Sequence, residues 1–152
     1  MYGKKVAAFH AAMELPINRQ LTEDEYILRL RLIGEEYIEF CHETACMNLT
    51  KPHANFAKEA MDLVYVLVGT LVAMGYDPDA IFDRIHASNM SKVNPVTGKP
   101  TKRADGKVLK GKWYKPADIG DLVPKYTNVV KLTPCQSHDR ETQLELFACD
   151  HP

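Results

Sequence analysis

Two stretches decide how this chain folds: Glu35-Glu36-Tyr37-Ile38-Glu39 and, after nineteen intervening residues, Glu59-Ala60-Met61-Asp62 running into Leu63-Val64-Tyr65-Val66-Leu67-Val68. Three-residue spacing puts Glu36 with Glu39, and Glu59 with Asp62, on one face of a helix. A lone E-x-x-E is common on solvated helix faces, but the residues after Asp62 are apolar on every side, so that helix is expected to be buried around most of its girth. Asp62 then has little chance of lying on a broad polar surface. If the two helices pack antiparallel, as a short connection favours, the acidic groups meet across the interface. Carboxylates aimed at one spot repel each other and call for a counter-charge, most simply one or more hard divalent cations such as Mg²⁺ or Mn²⁺.

Outward from these stretches the pattern is all-α. Val6, Phe9 and Met13 have the spacing of a short amphipathic helix over about Lys5 to Met13, which Pro16 ends. Thr22 followed by Glu25 reads as a capping box, opening a helix over about Glu23 to Cys46. After a turn around Lys51-Pro52-His53, a second long helix is expected from about Asn55 to Met74, with Gly75 past its end. Asp77 and Pro78 then open a third amphipathic helix that carries Ile81, Phe82 and Ile85 inward and ends near Asn89. Beyond Val93, prolines and glycines break regular structure, leaving an irregular segment with a short hairpin around Asp105-Gly106. The organisation expected is one helical domain over residues 1–119 and a C-terminal extension, 120–152, with no assigned role.

Composition excludes several classes. A net charge of −1 and a hydrophobic share of 45% describe neither a disordered chain nor one that seeks polyanions generally. The longest uncharged apolar stretch, Leu63 to Tyr76, is too short to span a bilayer, and no secretory signal is visible, so a cytoplasmic protein is expected. Cys41, Cys46, Cys135 and Cys149 have no zinc or C-x-x-C spacing and read as reduced thiols. Charge is nonetheless uneven: ten Lys and Arg against three Asp lie between Lys92 and Lys131. Such an arm could fold over an acidic, metal-filled site and hold the oxygens of a polyphosphate, or it could be a solvated surface.

Together these residues resemble the all-α nucleoside triphosphate pyrophosphohydrolases, the MazG-like group that includes phosphoribosyl-ATP pyrophosphohydrolase. The signature of that group is E-E-x-x-E, a variable spacer, then E-x-x-D, as at Glu35 to Glu39 and Glu59 to Asp62. The likeness extends to Arg29 and Arg31, to Asn89-Met90-Ser91-Lys92, and to Asp105-Gly106-Lys107-Val108-Leu109-Lys110-Gly111. It implies a helical bundle and metal-dependent cleavage of a nucleotide between its α and β phosphates. By position, Glu36, Glu39, Glu59 and Asp62 would hold the metals. Glu35 would complete a further metal site or orient the attacking water, so Glu35, Glu36 and Glu39 are the catalytic candidates. Asn89, Lys92 and Lys110 would hold phosphate oxygens, joined by Lys107 and Arg103. The C-terminal half also resembles the phage enzymes called MazZ, which implies dGTP or GTP as substrate in the host cytoplasm. His10, Asn18, Trp113 and Tyr114 are candidates for the base pocket. A homodimer or homotetramer is implied too, and three or four helices alone bury little.

Two other readings remain open at this stage. Glu39-Phe40-Cys41-His42 is an E-x-x-H, as in di-iron carboxylate bundles, but a second such motif on another helix is missing. A non-enzymatic helical module could bind nucleic acid through the basic arm. That arm lacks interleaved aromatics and a reading helix, so no nucleic-acid partner is expected.

Overall fold

The chain folds into four α-helices, α1 (Tyr2–Ala12), α2 (Glu23–Cys46), α3 (Ala54–Ala73) and α4 (Pro78–Met90), in a computed structural model that describes residues 1–46 and 53–126. The expected turn at Lys51-Pro52, the side chain of Cys46, Cys135 and Cys149, Lys131 and the segment after it lie outside the described residues. The fold class is all-α: among the described residues β pairing is limited to two isolated bridges, Val93 with Pro100 and Lys102 with Val108. They frame the expected turn, in which Arg103 N–H donates to Lys107 O at 2.8 Å and Gly106 sits at φ 87°.

Local chemistry sets the helix ends. At the start of α2, Glu25 N–H donates to Thr22 Oγ1 at 3.3 Å and Thr22 N–H donates to Glu25 Oε2 at 2.9 Å, a reciprocal capping box. Arg19 clamps the same carboxylate. With Arg19 and the Thr22 amide both stabilising its anion, Glu25 titrates at about 2. Helix α3 ends in a Schellman turn: Tyr76 N–H donates to Leu71 O and Gly75 N–H to Val72 O, with Gly75 at φ 81°. Asp77 Oδ1 then accepts from the amides of Asp79 and Ala80, both at 3.0 Å, and Pro78 occupies the first turn of α4. The Asp79 carboxylate in turn accepts from the Tyr2 and Gly3 amides, capping α1 from α4.

Helices α2 and α3 pack antiparallel along their length. Phe40 meets Phe56 at 5.4 Å between ring centres, while about three turns back on α2 Arg29 donates to Val66 O at 2.9 Å and to Thr70 Oγ1 at 3.1 Å. Helix α1 lies across the C-terminal half of α3, where Gly69 lets it approach: His10 and Arg29 fill the space a side chain would need.

Here the structure corrects the sequence pattern. Helix α1 turns Gly3, Val6 and His10 inward, whereas Phe9 and Met13 stay exposed. On α4 only Ile81 is buried, and Phe82 and Ile85 face outward. The helices meet through small residues and polar hooks, which bring backbones close and leave the bulky apolar groups outside. Among the described residues the apolar core is correspondingly thin, consisting of Val6, Leu21, Val72, Ala73 and Ile81.

The basic segment is fastened along α4. Arg84 donates to Asp118 O and to the Asp121 carboxylate, Ser88 Oγ donates to Lys115 O at 2.8 Å, and Lys115 N–H donates to Ser91 Oγ at 2.8 Å. After a short 3₁₀ turn at Gly120–Leu122, Tyr126 donates its hydroxyl to Met74 O at the end of α3. Residues beyond 119 therefore stay joined to the helices as far as 126.

Candidate active site

The antiparallel register of α2 and α3 brings three of the five acidic candidates together. Glu36 from α2, with Glu59 and Asp62 from α3, each place a carboxylate oxygen within 4.8 Å of the other two. Glu59 is buried, and Glu36 and Asp62 are partly covered. Burial is the largest influence raising the Glu36 carboxyl above its ordinary value, followed by repulsion from Glu39, Asp62 and Glu59. Glu39 is thus close enough to be felt by Glu36 but stands outside the triad, exposed one turn further along α2. Glu35 is exposed as well.

Spacing on one helix could not distinguish these glutamates, because the choice is made by the partner helix. Glu36 lies seven residues, two turns, from Arg29, on the face that Arg29 anchors to α3.

One participant escaped the sequence reading. Lys58 Nζ lies 3.0 Å from Glu59 Oε1 and 2.8 Å from Asp62 Oδ2, so an ammonium already sits among the carboxylates. The Lys58-to-Asp62 spacing of four was the available signal. Hard oxygen donors converging on a point where a cation is already accommodated suit a hard divalent ion.

A second cluster joins the end of α4 to the basic segment. Lys92 Nζ donates to Asn89 Oδ1 at 2.6 Å, and Lys110 Nζ lies 4.6 Å from the centre of the Tyr114 ring. A hydrogen bond with Ser88 most strongly lowers the Tyr114 phenol from its ordinary value, with Lys110 and Lys92 adding to it. Two cationic side chains, an amide and a phenol thus share one surface, whose chemistry suits phosphate oxygens. Ser88 was not foreseen as part of it. Arg103 is turned away to Asp105, which neutralises it, and Lys107 is exposed on the same turn. Among the described residues no hydrogen bond or ion pair joins this cluster to the triad.

The four base-pocket candidates are scattered. His10 is 2% exposed, with Nδ1 on Pro16 O at 2.8 Å and Nε2 against Gly69, so packing encloses its ring. Asn18, at φ 50°, lies against Gly75 and lines a cleft of about 500 Å³ with Tyr76 and Asp77. That cleft is at the far end of α3, roughly 20 Å along the helix from Asp62. Trp113 is exposed beneath Lys112, and Tyr114 belongs to the lysine cluster. Among the candidates for a di-iron centre, His42 turns to Glu43 at 3.9 Å instead of joining the triad. No helix among the described residues is long and apolar enough to cross a membrane.

Comparison with known proteins fits this geometry. No curated protein matches the chain. The family model for phosphoribosyl-ATP pyrophosphohydrolase matches residues 6–89, from the middle of α1 to the end of α4, and spans both acidic stretches. The match covers more than half of the 152 residues, and so the chain belongs to the phosphoribosyl-ATP pyrophosphohydrolase family.

Proposed function

We propose that this protein is a metal-dependent pyrophosphohydrolase that cleaves a nucleoside or deoxynucleoside triphosphate between its α and β phosphates. The observation that carries the reading is the convergence of Glu36, Glu59 and Asp62 within 4.8 Å across α2 and α3, inside the segment matched by the family. These three residues would hold a divalent cation, Mg²⁺ or Mn²⁺, with Glu35 and Glu39 beside them for a second. Bound there, the metal supplies charge neutralisation for the phosphates and lowers the pKa of a coordinated water.

The remaining steps belong to the chain's own side chains. Glu39 would stay with the metal, and Glu35, exposed beside Glu36, would complete a further metal site or orient the attacking water, whose proton passes to a neighbouring carboxylate. The water oxygen bonds to the α phosphorus as the bond to the bridging oxygen breaks, and pyrophosphate leaves with the electron pair. Asn89, Lys92 and Lys110, with Tyr114, would take up phosphate oxygens, and Lys107 would add charge at the rim. Resemblance of the C-terminal half to the phage MazZ enzymes supports dGTP or GTP as the preferred substrate, converted to dGMP or GMP.

A second copy of the chain is part of this proposal. Leu28 on α2, Met61 and Leu67 on α3 and Phe82 on α4 are exposed while the core is thin, as expected of a homodimer or homotetramer whose faces close on each other.

The test is product analysis with each of the eight common triphosphates and with phosphoribosyl-ATP, in Mg²⁺ or Mn²⁺. Monophosphate and pyrophosphate are expected, with dGTP or GTP turned over fastest, and Asp62→Asn and Glu39→Gln each inactive but still helical. Diphosphate with orthophosphate, or no turnover at all, would sink the reading. Turnover confined to phosphoribosyl-ATP would replace its substrate.

A further inference from the structure

The acidic triad is not open. Lys58, one residue before Glu59 and four before Asp62, reaches forward over both carboxylates, with Nζ at 3.0 and 3.1 Å from the two Glu59 oxygens and 2.8 Å from Asp62 Oδ2. A divalent cation would need those same oxygens at roughly 2.1 Å. An ammonium about 3 Å from each of them would then stand within about 5 Å of a doubly charged ion, and their mutual repulsion opposes joint occupancy. The two cations are alternatives.

We propose that Lys58 is a built-in counter-cation: it neutralises the metal-free triad and must be displaced for a divalent ion to enter, so it sets the metal concentration at which the site fills. This rests on the metal-site reading above. Three features make the exchange feasible. The Lys58 side chain is 62% exposed, on a flexible four-carbon stem that can swing into solvent without disturbing the helix. The Glu59 side chain, at 12%, stays put. And the ligands are contributed by two helices, so an empty triad without Lys58 would push α2 and α3 apart at the point where they meet.

The experiment compares wild-type protein, Lys58→Met and Lys58→Arg, each stripped with a chelator, by calorimetric titration with Mn²⁺ and by thermal unfolding without and with Mn²⁺. Methionine keeps the length and the helix propensity and removes the charge. The expected result is about fivefold tighter Mn²⁺ binding in Lys58→Met, the size typical of exposed ion pairs, with Lys58→Arg close to wild type. Without metal, Lys58→Met should melt about 2–4 °C lower, a deficit that disappears at saturating Mn²⁺. Equal or weaker Mn²⁺ binding by Lys58→Met overturns the displacement while leaving the metal site intact. If none of the three proteins binds Mn²⁺, the metal-site reading itself fails and the role of Lys58 with it.

Discussion

Replacing Gly69 by alanine should damage the protein even though alanine is the better helix former. On propensity alone the change in mid-α3 would stabilise by about 1 kcal/mol. In this structure the new Cβ would lie 2.6 Å from Arg29 Nη2 and 2.9 Å from His10 Nε2. Neither neighbour can retreat easily: Arg29 is held by Val66 O and Thr70 Oγ1, His10 by Pro16 O, and both are buried. Overpacking of a filled interior costs about 1–3 kcal/mol. Detaching one hydrogen bond of a charged donor costs about 1.5–3 kcal/mol more. The net expectation is a loss of about 2–4 kcal/mol, read in urea as a midpoint lower by about 1–2 M at unchanged slope. Because Arg29 and Glu36 lie on one face of α2 about 10 Å apart, the same splaying should weaken Mn²⁺ uptake by the triad. A Gly69→Ala protein as stable as wild type, or more so, would refute the close-packed junction on which the α2–α3 register depends.

Two further perturbations address the caps. The Glu25 carboxyl titrates near 2 in the folded protein, below its value of about 4.5 when unfolded. Its contribution is therefore complete above pH 5 and is lost as pH falls toward 2. Both partners are partly exposed, so solvent screens the pair; Glu25→Gln should melt about 3 °C below wild type at pH 7, and the two curves should converge by pH 2. A gap independent of pH would assign the effect to something other than this carboxylate. Asp77→Ala removes both side-chain bonds at the head of α4 and should cost about 1 kcal/mol in a urea titration, whereas Asp77→Asn should cost less than half of that.

Helix ends were legible in the sequence because their determinants are local. Thr22 with Glu25, Gly75, and Asp77 with Pro78 act within one turn of where they stand, and each is found at the end it predicts. Facing was less legible. Phe9, Met13, Phe82 and Ile85 have inward-facing spacing, but Gly3, Gly69 and the Arg29 hook let the helices meet along different lines. The acidic stretches announced themselves, yet which of the glutamates meet depends on the register between two helices. Lys58 was overlooked because a lysine beside acids on a helix reads as an ordinary surface pair until the third carboxylate arrives from α2.

The stapling of residues 115–121 along α4 has one more consequence. With Arg84, Ser88 and Ser91 binding the segment to the helix, and Tyr126 returning to Met74, the unit begins and ends at the same corner of the molecule, beside Gly75. Because Lys115 is tied to Ser88 and Ser91, the neighbouring Lys92 and Tyr114 backbones are carried together by any swing of this unit about that corner.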